Sequence, residues 1–385
     1  MDLDGTNKLD FVDALRGLAI SGVLVIHCAQ AGAGRLPSIL ETVAVHGALG
    51  VQLFFVASAL TIFMTFGRGA SRESGHTLNF FIRRFFRIAP MYYCGIIYFL
   101  WQDGFGERYW LGDASEISVW NVLSNVFFIH SVNPYWITSV VPGGWSIAVE
   151  VCFYCLVPFL FFKIRDLNGA VTFFLVTLLL RMVLEAALRF FPLIAFDRLW
   201  TEYLFFYPPN QLPVFACGII LYFLISTPRM GWRVNPLAIF ALSLLLLLQL
   251  LSGTAFIFPL HIQFAVACIV LAFSLSVKSF RILVNPVTTY VGKISYSMYL
   301  VHFAVLHWLH QLNADVAIDG FPPVVGFVLR FCILTSLTVL ISSGTYHLIE
   351  VPLQHLGKYI VRRRSQPGVR GNVDGQPAIL ISKKA

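Results

Sequence analysis

Charge is what this sequence has least of. Lys, Arg, Asp and Glu make up only 12% of its 385 residues, whereas 58% are hydrophobic and 36 are Phe. An ordinary soluble chain is about a quarter charged, so a fold with a water-facing charged surface is excluded. Several apolar runs reach the ~20 residues that cross ~30 Å of hydrocarbon as a helix. Every backbone polar group in lipid must be satisfied within its own segment, so open sheets are excluded too. The expected fold is all-α, a polytopic transmembrane helical bundle.

Other absences narrow the reading. No small-residue cleavage pattern follows the first apolar run, so that run is expected to stay as a helix rather than leave as a signal peptide. Of the seven Cys, only Cys152 and Cys155 form a C-x-x-C. They have no second pair and no nearby His, so no zinc site is expected and the cysteines read as small buried hydrophobes. No internal repeat and no matched pair of Gly/Pro-broken helices is present, which weighs against a transporter. The net charge of +8 has no soluble domain to display it, so it does not indicate nucleic-acid binding.

Hydropathy places ten spans, near 11–30, 44–66, 87–101, 146–163, 170–189, 212–226, 234–251, 258–276, 287–310 and 324–348, with an interfacial helix expected at 118–130. Alternate loops then carry Lys8, Arg68, Arg72, Arg83, Arg84, Arg87, Lys163, Arg165, Arg229, Arg233, Lys278, Arg281, Lys293 and Arg362 to Arg364 on one side. The other side holds chiefly Arg35, Arg108 and Arg198. The positive-inside rule puts both ends in the cytoplasm for an even count. Residues 1–360 are thus expected to be one transmembrane domain. Residues 361–385, "VRRRSQPGVRGNVDGQPAILISKKA", are expected to be a disordered basic tail resting on anionic lipid.

Ionisable groups inside the bilayer are costly and mark function by default. In "ALRGLAISGVLVIHCAQ", Arg16 and His27 stand eleven residues apart, about three turns, so they share one helix face about 16 Å apart along the axis. Asp13, one turn earlier, can pair with Arg16. Taken alone, Arg16 reads as a snorkelling anchor and His27 as a polar helix–helix bridge. In "PGGWSIAVEVCFY", Trp145 marks an interface, and Ser146, Glu150 and Tyr154 form one i, i+4, i+8 stripe. The carboxylate could orient an imidazole or form a structural ion pair with Arg181 or Arg330. In "NFFIRRFFRIAPMYY", Arg83, Arg84 and Arg87 interleave with aromatics, which suits a phosphate-bearing ligand that also carries a base. "ISYSMYLVH" supplies Ser295, Tyr299 and His302. Arg181, Glu185 and Arg189 read as a structural ladder.

These motifs, in this order, resemble the acyltransferase-3 membrane family almost end to end. "VDALRGLAI" followed by His27 is similar to its first-helix motif. "RRFFRIAP" is similar to its basic motif, with Arg84 and Arg87 as the R-x-x-R pair. "GGWSIAVEVCFY" is similar to its W-S-x-x-x-E-x-x-F-Y segment. "ISYSMYLVH" and "YHLIEVPLQHLGKY" are similar to its last two helices. The resemblance implies transfer of an acyl group, most often acetyl, from cytoplasmic acyl-CoA to a hydroxyl of an envelope or exported glycan in a bacterial inner membrane. No permanently bound cofactor is expected; acetyl-CoA is the donor substrate. Many relatives carry a fused extracytoplasmic esterase-like domain, which this chain is expected to lack and so to act alone or borrow a partner.

On that reading Arg83, Arg84 and Arg87 hold the CoA phosphates and Arg16 guides the donor inward. His27 acts as general base or takes the acyl group itself. Glu150 orients His27 or shares the proton. Trp145, Asp13, Ser146, Tyr154, Ser295, Tyr299 and His302 are expected to support the site, and the Trp- and Tyr-rich 102–144 segment to hold the sugar. The rival reading is a non-catalytic exporter of a glycan or lipid-linked intermediate.

Overall fold

The computed structural model describes residues 10–32, 34–70, 73, 75–226, 235–252 and 258–365. Lys8, Arg72, Arg229, Arg233 and the tail from residue 366 lie outside the described residues. Every regular element among those described is helical. The order is α1 (Asp10–Gln30), α2 (Ser38–His46), α3 (Gly50–Ala70), α4 (His76–Asp103), α5 (Val119–Val126), α6 (Gly144–Lys163), α7 (Leu167–Phe190) and α8 (Asp197–Phe206). Then come α9 (Pro208–Ser226), α10 (Pro236–Leu251), α11 (Leu260–Val277), α12 (Pro286–Lys293), α13 (Ser295–Gln311), α14 (Ala314–Asp319), α15 (Pro323–Thr345) and α16 (Val351–Ser365). A π-helical turn, Tyr346–Glu350, joins α15 to α16.

Among the described residues, seven helical stretches are long and apolar enough to cross a membrane: α1, α2–α3, α6, α7, α8–α9, α11 and α15–α16. All ten expected spans fall on helices, but the third, seventh and ninth fall on α4, α10 and α13, which are not among the seven. The reasons differ. α10 has 16 residues and α13 has 17. α4 has 28 but carries three arginines near its start and ends in Gln102 and Asp103.

Several boundaries move. The ninth span is broken at Ile294 into α12 and α13. α4 begins at His76 because its polar first turns continue the helix that hydropathy sees only in part. α16 extends to Ser365, past residue 361 where the tail was expected to begin. Its "LQHLGKYIVRRR" is too polar to register as a span by itself but has no proline after Pro352. Cys94, Cys155 and Cys332 are exposed, so the cysteines are not uniformly buried.

α1 runs through the core against α3, α12, α13 and α15. Its approach to α12 is backbone on backbone: a Cβ on Gly292 would lie 1.8 Å from the Asp13 carbonyl oxygen, so only glycine fits there. α7 instead exposes Leu175, Val176, Leu179 and Met182, a face that lipid covers. On α7 the Arg181–Glu185–Arg189 ladder forms as an ion-paired series, and Arg181 Nε also donates to Asn210 Oδ1 at 2.6 Å. Between α4 and α6 the chain folds into a compact cap. Arg108 donates to the carbonyls of Gly104 (2.6 Å) and Ser139 (3.2 Å), and His130 Nε2 donates to the Gly144 carbonyl at 3.0 Å. α5 exposes Val119 and Trp120 on this cap.

Candidate active site

A cavity of about 630 Å³ opens inside the bundle, lined from α1, α3, α4, α6 and α13. Arg16, Arg87, Ser146, Glu150, Tyr154, Ser295 and Tyr299 all face it. Arg16 Nη2 donates to Thr61 Oγ1 at 3.0 Å, and Nη1 lies 3.5 Å from the Asp13 carboxylate. Glu150 accepts from the Tyr154 hydroxyl at 2.7 Å and from the Ser58 hydroxyl. Glu150 and Arg16 lie within electrostatic reach of each other, but each is tethered separately. The i, i+4, i+8 stripe of α6 therefore presents one polar wall. At its upper end Ser146 donates to the Tyr299 hydroxyl (3.0 Å), which donates to the Gly143 carbonyl (3.0 Å).

A second cavity of about 850 Å³ is lined by Arg83, Arg84, Arg87, His76, Gln354 and Lys358, among others. Arg84 is buried, donates to Thr65 Oγ1 at 3.1 Å, and stands 5.6 Å and 5.4 Å from the ring centres of Phe80 and Tyr154. Arg83 is paired with Glu73. Arg87 belongs to both cavities and has no hydrogen-bond or ion-pair partner among the described residues. An unpaired guanidinium at the junction of two cavities is free to take an anion.

His27 lies elsewhere. It does not line either cavity, although its helix position matches that of Arg16. Its Nδ1 donates to Gln30 Oε1 at 3.0 Å, which leaves the Nε2 lone pair free. Its ring centre is 4.7 Å from Phe303 and 5.3 Å from His302. His302 is fully buried; its Nδ1 donates to the Met298 carbonyl at 3.1 Å, and its Nε2 has no partner. Tyr299 links the two regions, lining the cavity with its ring centre 6.0 Å from that of His302. Glu150 does not touch His27, contrary to expectation: Ser58 and Tyr154 hold the carboxylate while Gln30, His302 and Phe303 hold the imidazole. Nor does Glu150 pair with Arg181 or Arg330. Arg330 is bound to Asp315 (3.2 Å) and Asp319 (2.6 Å). Trp145 packs against Phe55 (6.0 Å) and Phe206 (4.4 Å) as wall, not ligand.

Ser58, Thr61 and Thr65 escaped the sequence reading, yet they recur every three to four residues along an otherwise apolar α3. That periodic polar stripe is a legible signal of a shared inner face. Glu350 was also missed. It is buried in the π-turn, accepts from the Ser297 hydroxyl, and lies within electrostatic reach of Arg87. π-turns inside helices recur at functional sites.

The acyltransferase domain of the acyltransferase-3 family matches residues 9–347. The chain belongs to this family, and the apolar helices and the match together make it a multi-pass membrane protein. It is also similar to proteins of Staphylococcus aureus named "Putative O-acetyltransferase". One, from strain MRSA252, is 24% identical over 92% of this chain and 58% of its own length. Another, from strain COL, is 24% identical over 90% of this chain and 57% of its own length. The chain thus spans somewhat over half the length of the relatives it matches. No solved structure matches the chain.

Proposed function

We propose that this protein moves an acyl group, chiefly acetyl, from cytoplasmic acyl-CoA to a hydroxyl of a cell-envelope or exported glycan, in a bacterial inner membrane. The topology proposed with it is ten spans with both ends cytoplasmic, which puts the Arg83–Arg87 cluster on the CoA side. The observation that carries the reading is Arg87, a guanidinium without a hydrogen-bond or ion-pair partner among the described residues, where the cationic cavity meets the polar one. CoA phosphates bind in the cationic 850 Å³ cavity from the cytoplasm, and the neutral pantetheine arm passes Arg87 toward Arg16 and Glu150.

His27 is the general base, because its Nδ1–H is fixed and its Nε2 is free. The acceptor oxygen attacks the thioester carbonyl, the C–S bond breaks, and the hydroxyl proton passes to His27 Nε2 and then to the leaving thiolate. Tyr299 lines the cavity with its ring centre 6.0 Å from His302, which itself packs on His27, so these rings must rearrange before the imidazole reaches the thioester. The Trp- and Tyr-bearing cap between α4 and α6 receives the sugar.

Purified protein in detergent, given labelled acetyl-CoA and a polysaccharide acceptor, should release CoA and label the glycan. A glycan exporter would do neither. Mass spectrometry of surface polysaccharide from strains with and without the protein should show a loss of one acetyl per modified residue, and an unchanged spectrum would remove the glycan from the proposal.

A further inference from the structure

The arginines of α4 do not form the basic chamber alone. α16 lies antiparallel along α4. A Cβ on Gly357 would meet the Phe86 side chain at 2.8 Å, so glycine lets the two helices close, and Asn79 Nδ2 donates to Ser365 Oγ at 3.1 Å at the far end. Outward from the π-turn, the cations come in order: Arg87 and Arg84, then Arg83 opposite Lys358, then Arg362. Lys358 lines the 850 Å³ cavity and also a further one of about 1090 Å³, shared with Arg83 and completed by His355, Tyr359 and Arg362. Three cavities are therefore strung together by shared residues, Arg87 between the first two and Arg83 with Lys358 between the last two.

Charge balance along this path is one-sided. The one carboxylate among the described residues lining the outer cavity, Glu73, is taken by Arg83 and Asn79. Lys358 and Arg362, one turn apart on α16, have no acidic partner among the described residues. Tyr359 adds an aromatic ring to the same cavity.

We propose that α16 builds a second anion subsite, distinct from the α4 arginines, that reads the 3′-phosphate of an adenine nucleotide through Lys358 and Arg362, with Tyr359 beside the base. This rests on the reading of acyl-CoA as donor and goes beyond it: the diphosphate lies at Arg84 and Arg87, and the 3′-phosphoribosyl end is gripped by a helix outside the family-matched region 9–347. Dephosphorylated CoA would keep the first set of contacts and lose the second.

The test uses the full chain in nanodiscs of zwitterionic lipid, and a parallel set containing phosphatidylglycerol. Adenosine 3′,5′-bisphosphate binding is measured by calorimetry, and kcat/KM is compared for acetyl-CoA and acetyl-dephospho-CoA. Wild type should favour acetyl-CoA by roughly 10- to 100-fold. K358Q/R362Q should weaken bisphosphate binding by a similar factor in zwitterionic discs and collapse that preference, chiefly by raising KM for acetyl-CoA. Binding and preference that ignore the double substitution overturn the subsite. So does a substitution effect seen only with phosphatidylglycerol, which would assign the two cations to lipid headgroups. Nucleotide binding that depends on Lys358 and Arg362 without any acyl transfer would keep the subsite and overturn the transferase reading. Transfer indifferent to the 3′-phosphate would do the reverse.

Discussion

The two ends of α1 have opposite surroundings. Around Arg16 the bundle is hollow, with a polar wall on α6, hydroxyls on α3 and the free guanidinium of Arg87. Around His27 it is closed, with aromatic rings on one side, Gln30 on the other, and the chain just beyond clamped by Arg330, which reaches Gly32 while bound to two aspartates. The first region has room for a charged ligand to exchange water for protein contacts. The second holds a half-buried imidazole in one tautomer with its Nε2 free, an arrangement suited to proton transfer rather than to binding. On the proposed reading one helix joins a binding chamber to a reacting group, with Tyr299 lining the chamber and packing near His302.

The sharpest way to break this division is His27→Ala. It should cut acyl transfer by roughly 10²- to 10⁴-fold, the usual worth of a general base, while nucleotide binding stays intact. Assay of purified variant with labelled acetyl-CoA decides it, and ordinary turnover would strip His27 of its role. Arg330→Met should act at the same end through stability alone. It removes the guanidinium that Asp315 and Asp319 share, so unfolding in detergent should come earlier by about 3 kcal/mol, the cost of breaking a buried pair. KM for acetyl-CoA should hold once the protein is folded, because Arg330 lines neither chamber of the site.

At the open end the expected losses are smaller and of a different kind. Arg87→Gln should raise KM for acetyl-CoA roughly 10- to 100-fold, in line with one charge-assisted contact, and leave the unfolding midpoint where it was, since Arg87 has no internal partner to lose. Arg84→Gln should lower both affinity and stability, because Arg84 is buried between Phe80 and Tyr154 and bonded to Thr65. Equal effects of the two substitutions on the midpoint would erase the distinction between a free and a built-in guanidinium.

How much of this was legible follows the same line. Helical class and the placement of each expected span on a helix could be read from apolar runs, though only seven stretches among the described residues are long and apolar enough to cross. The break at Ile294 could not, because it changes no hydropathy. Seven of the residues singled out in the sequence do meet in one cavity, since a helix turns 3.6 residues per cycle and the α6 stripe obeys that period. The partnership of His27 with Glu150 could not be anticipated and did not form: helical phase says which face a residue is on, not which neighbour fills the gap opposite. The continuation of α16 to Ser365 was missed for a third reason, as its polar end carries no membrane signal and only its docking on α4 gives it meaning.

The smallest expected effect concerns the cap between α4 and α6, which must stay folded for either end to matter. Burial pushes the His130 imidazole down to about 4, partly offset by its bond to the Gly144 carbonyl, and Tyr92 lies 3.2 Å away, itself donating to Asn125. The unfolded chain takes up this proton near pH 6.5 and the folded one resists until about pH 4. The stability contributed by neutral His130 is therefore complete above pH 6.5 and falls as the pH drops toward 4. Each pH unit in that window is worth about 1.4 kcal/mol, so midpoints measured at pH 7 and pH 5.5 should differ by about 1 kcal/mol more in wild type than in His130→Gln, whose amide can keep the bond to Gly144 without titrating. Parallel pH profiles for the two proteins would show that the cap is held by Arg108 and its carbonyl contacts instead, with His130 a bystander.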